Sequence, residues 1–319
     1  MTVTAEIIAD SINEDGVRIT TFELDYPRIV HAELMTHREF SRNAASSRAI
    51  PTKAVLDRVM SDPAMPVHFG KNQTGMQDAG EHFELINGYT PQEWWKLMAL
   101  SAAKFSEGFA DAGYHKQVAN RGTEFAQNIK VVVTSTSYDN WFWLRECEMA
   151  DPTIHVLANV MLAAYNESSP RLLLPGEWHV PYYFDGYWSD SGMTVEGVAV
   201  DINGHTLAEA LKISSSCCAQ VSYRKSDDSL EKAVGLYDRL VGAEKVHASP
   251  FEHQGTPIQQ YNEQYNEKMV NNIVYPKSWE EGITHVDRNG VFHSGNFTGW
   301  IQHRQLIPNH VCNDFKYLE

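Results

Sequence analysis

The segment that most limits how this chain can fold is "KVVVTSTS", residues 130–137. Consecutive β-branched valines followed by threonines and serines fit a pleated strand better than a helix. Two apolar runs come next, "YDNWFWLRE" and "TIHVLANVMLAAYN", and they read as buried helices around that strand. Asp151 and Pro152 supply a cap and first turn for the second of them. Earlier, "VRITTFELD" (17–25) roughly alternates in polarity and predicts another strand. Such a core needs apolar material. With 319 residues, 43% hydrophobic and 21% charged, the chain has enough for one large domain or two ordinary ones.

Pro27 stands near the start of an expected helix, "RIVHAELMTHREF", followed by a loop that Pro51 closes. Thr90 and Pro91 cap a long helix that Gly113 ends. Residues 185–204 are rich in Gly, Asp and Ser and form the best boundary, dividing 1–184 from 185–319. Helical patterns resume at "HTLAEALKISSSCCA" and "SLEKAVGLYDRLV". Near the end, "NFTGWIQHRQLIP" echoes the first half, with an apolar lead, adjacent His303 and Arg304, and a polar exit.

A net charge of −15 argues against general nucleic-acid binding, which calls for a broad basic surface. No apolar run reaches the length of a membrane span, and the N-terminus does not read as a secretory signal. Cys147, Cys217, Cys218 and Cys312 show no CxxC pair, which suits a reduced cytoplasmic protein. No HExxH occurs, so no metal is expected, and no GxGxxG follows a strand. "GKNQTG" (70–75) is not a P-loop and reads equally as a surface turn.

Against this acidic background "THREFSRNAASSR", Thr36 to Arg48, stands out. It sets His37, Arg38, Arg42 and Arg48 among Ser41, Asn43, Ser46 and Ser47, with Glu39 the only acid. Arginine forks, hydroxyls and loop amides suit a phosphate; a solvated helix end with paired arginines is the plainer reading of the same residue types.

The spacing resembles the signature of the flavin-dependent thymidylate synthases, R-H-R-x-x-S-x-N-x-x-S-x-R. His37, Arg38, Ser41, Asn43, Ser46 and Arg48 fall in place. Thr36 replaces the first arginine, and Ala44 and Ala49 stand where glutamate and tyrosine are usual. "KQVANRGTEF" and "VVVTSTSYDNWFWLR" resemble a later segment of the family, with Thr134 and Thr136 replacing an asparagine and an arginine. "PRLLLPGEWHVPYY" is similar to an element of longer, phage- and actinobacterial-type members. "CCAQVSY", "SPFEH" and "GWIQHR" resemble N-terminal family elements, so the order looks rearranged.

The resemblance implies an α+β fold, a twisted sheet with packed helices, in a cytoplasmic homotetramer (in the host cytoplasm if phage-encoded) with sites where subunits meet. It implies reductive methylation of deoxyuridine monophosphate (dUMP), with FAD as cofactor and methylenetetrahydrofolate and NADPH as co-substrates. Arg121 and Arg145 would be catalytic and, with Glu33, Ser46 and Arg48, would bind the nucleotide. His37, Arg38, Asn43, Asn140 and His253 would meet the flavin, His253 coming from the C-terminal region to complete that site. No cysteine need attack the base. Alternatives are a hydroxymethylase acting on dUMP or deoxycytidylate, and a non-catalytic nucleotide- or flavin-binding homologue.

Overall fold

The computed structural model describes residues 3–222, 227–259 and 279–313. Its centre is a five-stranded sheet of order β3-β4-β2-β1-β5: β1 (Thr4–Ile12), β2 (Arg18–Pro27), β3 (Ser41–Ala44), β4 (Asn128–Ser135) and β5 (Arg171–Leu172). All neighbours are antiparallel except β1 and β5. With helices packed against this largely antiparallel sheet, the fold is α+β.

One face of the sheet is apolar. Phe22, Leu24 and Tyr26 of β2 and Val131 and Val133 of β4 pack with Trp141, Ile154, Leu157 and Met161. The last three come from α6 (Pro152–Glu167), whose first turn is held by the Asp151 carboxylate accepting from the Thr153 and Ile154 amides. Trp141 belongs to α5 (Asp139–Arg145). This second helix is buried along one side only, since Trp143 is 77% exposed. The valine run of β4 has the strand conformation its branched side chains favour.

The expected helix after Pro27 is much shorter than its apolar pattern suggests. A 3-10 turn (Arg28–Val30) leads into α1, only His31–Leu34. The Arg42 guanidinium donates to the carbonyl oxygens of Met35 and His37 at 3.0 and 2.9 Å. That side chain satisfies the acceptors of an early helix end. The chain then turns back, and Ser41–Ala44 pairs with β4 instead of forming a loop.

The long helix is present as α3 (Pro91–Asp111), with a full capping box between Thr90 and Glu93. It packs with α2 (Thr52–Ser61), and its Trp95 indole donates to the Ala64 carbonyl. Two short elements follow it, α4 (Lys116–Ala119) and a 3-10 segment (Asn120–Ala126).

A second sheet of order β11-β10-β6-β7 draws on distant stretches: β6 (Trp178–His179), β7 (Tyr187–Trp188), β10 (Gly255–Pro257) and β11 (Trp300–Gln302). The glycine-rich stretch 185–204 is folded around it, ending in the hairpin β8 (Met193–Val195) and β9 (Val198–Val200). Gly186 has φ +85°, and a Cβ there would lie 2.8 Å from that of Ala9, so glycine lets this stretch lie directly on β1. Helices α7 (Leu207–Ala219) and α8 (Leu230–Val241) pack beside this sheet.

The other face of the central sheet is polar where it meets this second region. A continuous buried chain runs Ser11–His179–Thr21–Thr134–His253, with contacts of 2.9, 2.8, 2.7 and 2.8 Å. Burial holds His179 and His253 at pKa values of about 3, and His303 at about 4. These imidazoles are neutral in the folded chain but take protons near pH 6.5 when it unfolds. Stability from them is therefore complete above pH 6.5 and is lost as pH falls toward 4 and then 3. Urea titrations should show an unfolding free energy that declines between pH 6.5 and 4.5, with uptake of more than one proton on unfolding. A flat profile across that range would contradict the burial of these rings.

Candidate active site

Half of the signature segment gathers at the end of α1. His37 is buried, stacked on Phe40 with centroids 5.6 Å apart and edge-on to Trp141 at 4.9 Å. Arg145, at the last position of α5, donates from Nε to His37 Nε2 at 3.3 Å and from Nη1 to Glu33 Oε2 at 3.1 Å. Arg145 is thus the middle member of a Glu33–Arg145–His37 relay. Burial first, then the charges of Arg145 and Arg42, lower the His37 pKa to about 4. Since Arg145 occupies Nε2 as a donor, the neutral ring carries its proton on Nδ1. Burial and Asp151 raise the Glu33 pKa, with Arg145 opposing them.

Next to this relay lies a cleft of about 290 Å³ whose lining includes Thr36, His37, Arg38, Asn140, Trp141 and Leu144. Arg38 and Asn140 are exposed. No ion pair holds Arg38 among the described residues.

The other half of the segment forms a second group, on the loop after β3. Ser46 receives the Arg48 amide on its hydroxyl at 3.3 Å, and its own amide donates to Ser222 Oγ at 2.9 Å. Asn120 clamps the loop by donating to the carbonyls of Ser47 and Ile50 at 2.7 and 3.0 Å. One carboxylate, Glu124, accepts from the Ser47 hydroxyl at 2.7 Å and pairs with both Arg28 and Arg121 at 3.2 Å. Lys116 Nζ donates to the Ala49 carbonyl at 2.8 Å. Arg48 is exposed and has no ion pair among the described residues. Among the described residues Glu124 is the one acid that pairs with Arg28 and Arg121, while Lys116 and Arg48 form no ion pair. Among the described residues no hydrogen bond or ion pair links this group to the Glu33–Arg145–His37 relay.

Two expected flavin contacts are occupied elsewhere. Asn43 Nδ2 donates to the Cys218 carbonyl at 3.1 Å, tying β3 to the end of α7. His253 has no exposed surface; its Nδ1 meets Thr134, while its Nε2 has no partner among the described residues. Thr134 is therefore more than a replacement for a cofactor ligand, since its hydroxyl is what His253 rests on. Sequence reading missed His179, Glu124 and Lys116. Glu124 had a local signal, its i,i+3 spacing from Arg121; His179 had none, because its partners are 158 and 168 residues away.

The cleft residues suit part of a flavin dinucleotide. Arg38 offers a guanidinium with no ion pair among the described residues, Asn140 an amide, and Trp141 with His37 an aromatic wall. At about 290 Å³ the cleft is at the small end of ligand pockets, so it suits one ring or phosphate portion and not the whole group. His253, enclosed by protein, does not reach that cleft's lining.

No protein-family model matches this chain, and no curated protein does. Among solved structures it is similar to the UMP/dUMP methylase PolB from Streptomyces cacaoi bound with 5-Br UMP. That likeness has 14% identity and a TM-score of 0.41, covering 52% of this chain and 89% of that one. The same enzyme bound with 5-Br dUMP gives 14% identity and 0.40, covering 52% and 90%. The flavin-dependent thymidylate synthase ThyX from Helicobacter pylori, complexed with FAD and dUMP, gives 19% and 0.33, covering 50% and 69%.

The relay makes a spectroscopic prediction. Replacing Arg145 by Met removes a cation that opposes protonation of His37, so the His37 pKa should rise from about 4. It should stay below 6.5, because burial is the larger cause. An NMR titration of the ring reads this directly, and an unchanged or lower value would remove Arg145 as a neighbour that matters.

Proposed function

We propose that this chain is a pyrimidine nucleotide enzyme that methylates C5 of dUMP, giving dTMP, with FAD as cofactor and methylenetetrahydrofolate and NADPH as co-substrates. The observation that carries the reading is the Ser46–Arg48 loop. The signature's second half presents Ser46 and Arg48, while its first half opens on the cleft that Arg38 and Asn140 line. A phosphate dianion fits the loop: Arg48 supplies a guanidinium fork with no ion pair among the described residues, and Ser46 a hydroxyl.

Arg145 is assigned to the pyrimidine, together with Arg121. A guanidinium held by Glu33 keeps its orientation, and its positive charge favours the negative charge that develops on the base carbonyls as C5 reacts. His37, neutral at pH 7, meets Arg145 without competing for a proton. Bound FAD would supply the hydride; His37, Arg38 and Asn140 would position it. The cysteines have no place in this scheme: Cys218 is fully buried and burial pushes its thiol pKa up, the opposite of an activated nucleophile. Four free thiols suit a cytoplasmic protein.

Residues 185–319 are read as part of the same catalytic unit as 1–184, a view supported by the Thr134–His253 and Asn43–Cys218 bonds. One observation favours the variant reading, a hydroxymethylase or an enzyme of deoxycytidylate. His253 is enclosed beneath Thr134, so flavin contacts differ from those the resemblance implies.

Incubation with dUMP, methylenetetrahydrofolate and NADPH should give a product heavier by one methyl group, identified by mass; a hydroxymethyl product selects the variant, and a colourless protein without FAD uptake overturns both. Arg48→Ala should keep the fold and lose more than tenfold in dUMP affinity, since a charge-assisted phosphate contact is worth roughly 1.5–3 kcal/mol. Arg48→Lys should recover only part. Equal dUMP affinity in a folded Arg48→Ala protein removes the loop from the site.

A further inference from the structure

One cavity of the chain belongs to neither half of the signature. It holds about 310 Å³ beside α2, the end of β2 and the start of β4, and its lining includes Asp25, Asn128, Arg58, Ile50, Ala54 and Val55. At the small end of ligand pockets, that is room for one bicyclic ring. Asp25 pairs with Lys130 across β2 and β4, so Asn128, two residues earlier on β4, is its diagonal neighbour on the same face. A carboxylate and an amide thus stand side by side in one wall. Another wall is apolar, made by Ile50 and by Ala54 and Val55 of α2. Arg58 lies one turn beyond Ala54 on the same side of that helix.

The two polar side chains lack donors. Oδ1 of Asp25 and Oδ1 of Asn128 are shielded from solvent and accept no hydrogen bond from the described residues. Buried acceptors of this kind are uncommon in folded chains and cost stability when unmet. Their terminal torsions are broad, so a small rotation turns either oxygen toward the cavity. Burial is the first cause that raises the Asp25 pKa, with Asn128, Arg58 and Lys130 opposing it. Arg58, in contrast, is exposed and forms no ion pair among the described residues. Asp62 also lines the cavity, so the lining holds two acids and one guanidinium.

A ligand that satisfies this lining has three parts. It presents two adjacent donors to Asp25 and Asn128, a flat apolar body to Ile50, Ala54 and Val55, and an anion to Arg58. The 2-amino-4-oxo ring shared by guanine and pterins has that donor edge, a ring N–H beside an exocyclic amino group. Adenine and cytosine set a ring acceptor beside their amino group, and uracil flanks its N–H with two carbonyls, so each would aim a lone pair at Asp25. An ammonium ion would meet the acceptors but leave the apolar wall and Arg58 without a partner.

We propose that this cavity binds the 2-amino-4-oxo ring of a guanine nucleotide or a pterin, with the two ring donors on Asp25 and Asn128 and the ligand's anionic group on Arg58. The assignment does not depend on the enzymatic reading. The cavity adjoins the Ser46–Arg48 loop, since Ile50 offers its carbonyl to Asn120, which clamps that loop.

Calorimetric titration of the full chain with guanosine monophosphate (GMP) and with pterin-6-carboxylate distinguishes the two sources, and at least one of them should bind at one site per chain. Xanthosine monophosphate and lumazine-6-carboxylate carry a carbonyl in place of the 2-amino group. Each should bind at least about tenfold more weakly than its 2-amino counterpart, because an acceptor then faces Asp25. Asp25→Asn turns one acceptor into a donor and should reverse that order. Arg58→Gln, at an exposed position, should weaken the charged ligand about threefold and spare uncharged guanosine or pterin. dUMP should displace neither ligand. Failure of both GMP and pterin-6-carboxylate to bind, equal affinity for the 2-amino and 2-carbonyl forms, an order that Asp25→Asn leaves unchanged, or displacement by dUMP would overturn the proposal.

Discussion

A row of neutral hydrogen bonds laid across one face of the central sheet sets how its strands β2 and β4 meet the segments packed on them. Thr21 and Thr134 are direct cross-strand partners on β2 and β4. Their hydroxyls meet each other and pass contacts to His179 on one side and His253 on the other. Ser11 of β1 closes the far end. A buried polar group without a partner costs about 1–3 kcal/mol, so each member restricts the place of the next. The α6 face of the same sheet gives adhesion through valines and aromatics, whereas the polar face gives register between distant segments.

That division explains why the cationic loop can exist in a protein of charge −15. β3 is short and fixed at both ends, by Arg42 gathering carbonyls before it and Asn120 clamping the loop after it. Asn43 ties its middle to α7. With the backbone so held, Ser46 and Arg48 stay presented to solvent and need no acid of their own. Glu124 is shared between Arg28 and Arg121, so one carboxylate faces two guanidinium groups there.

The β2 and β4 strands and the capped helices were readable in the sequence because their signals are local, whereas the meeting of Arg145 with Glu33 and His37 was not, since 112 and 108 residues separate them. Valine runs, Asp-Pro and Thr-Pro caps and a fixed motif spacing all act within a few residues. The shortness of α1 was not readable, because it follows from a side chain eight residues beyond Leu34 returning to its carbonyls. Nor was the burial of His253. Its "SPFEH" context gives the residue type and a resemblance, while its environment is set by a threonine 119 residues earlier. The glycine-rich stretch 185–204 has a linker's composition, yet Gly186 is there because Ala9 leaves no room for a side chain.

The central claim is that residues on both sides of position 184 form one cooperative structure through Thr134 and His253. A double-mutant cycle tests it most directly, using Thr134→Val, His253→Phe and the pair, with urea unfolding followed by both tryptophan fluorescence and circular dichroism. The account predicts a single coincident transition in the wild type and a coupling energy of about 0.5–3 kcal/mol between the two positions. Two separate transitions in the wild type, or strictly additive effects of the substitutions, would contradict it.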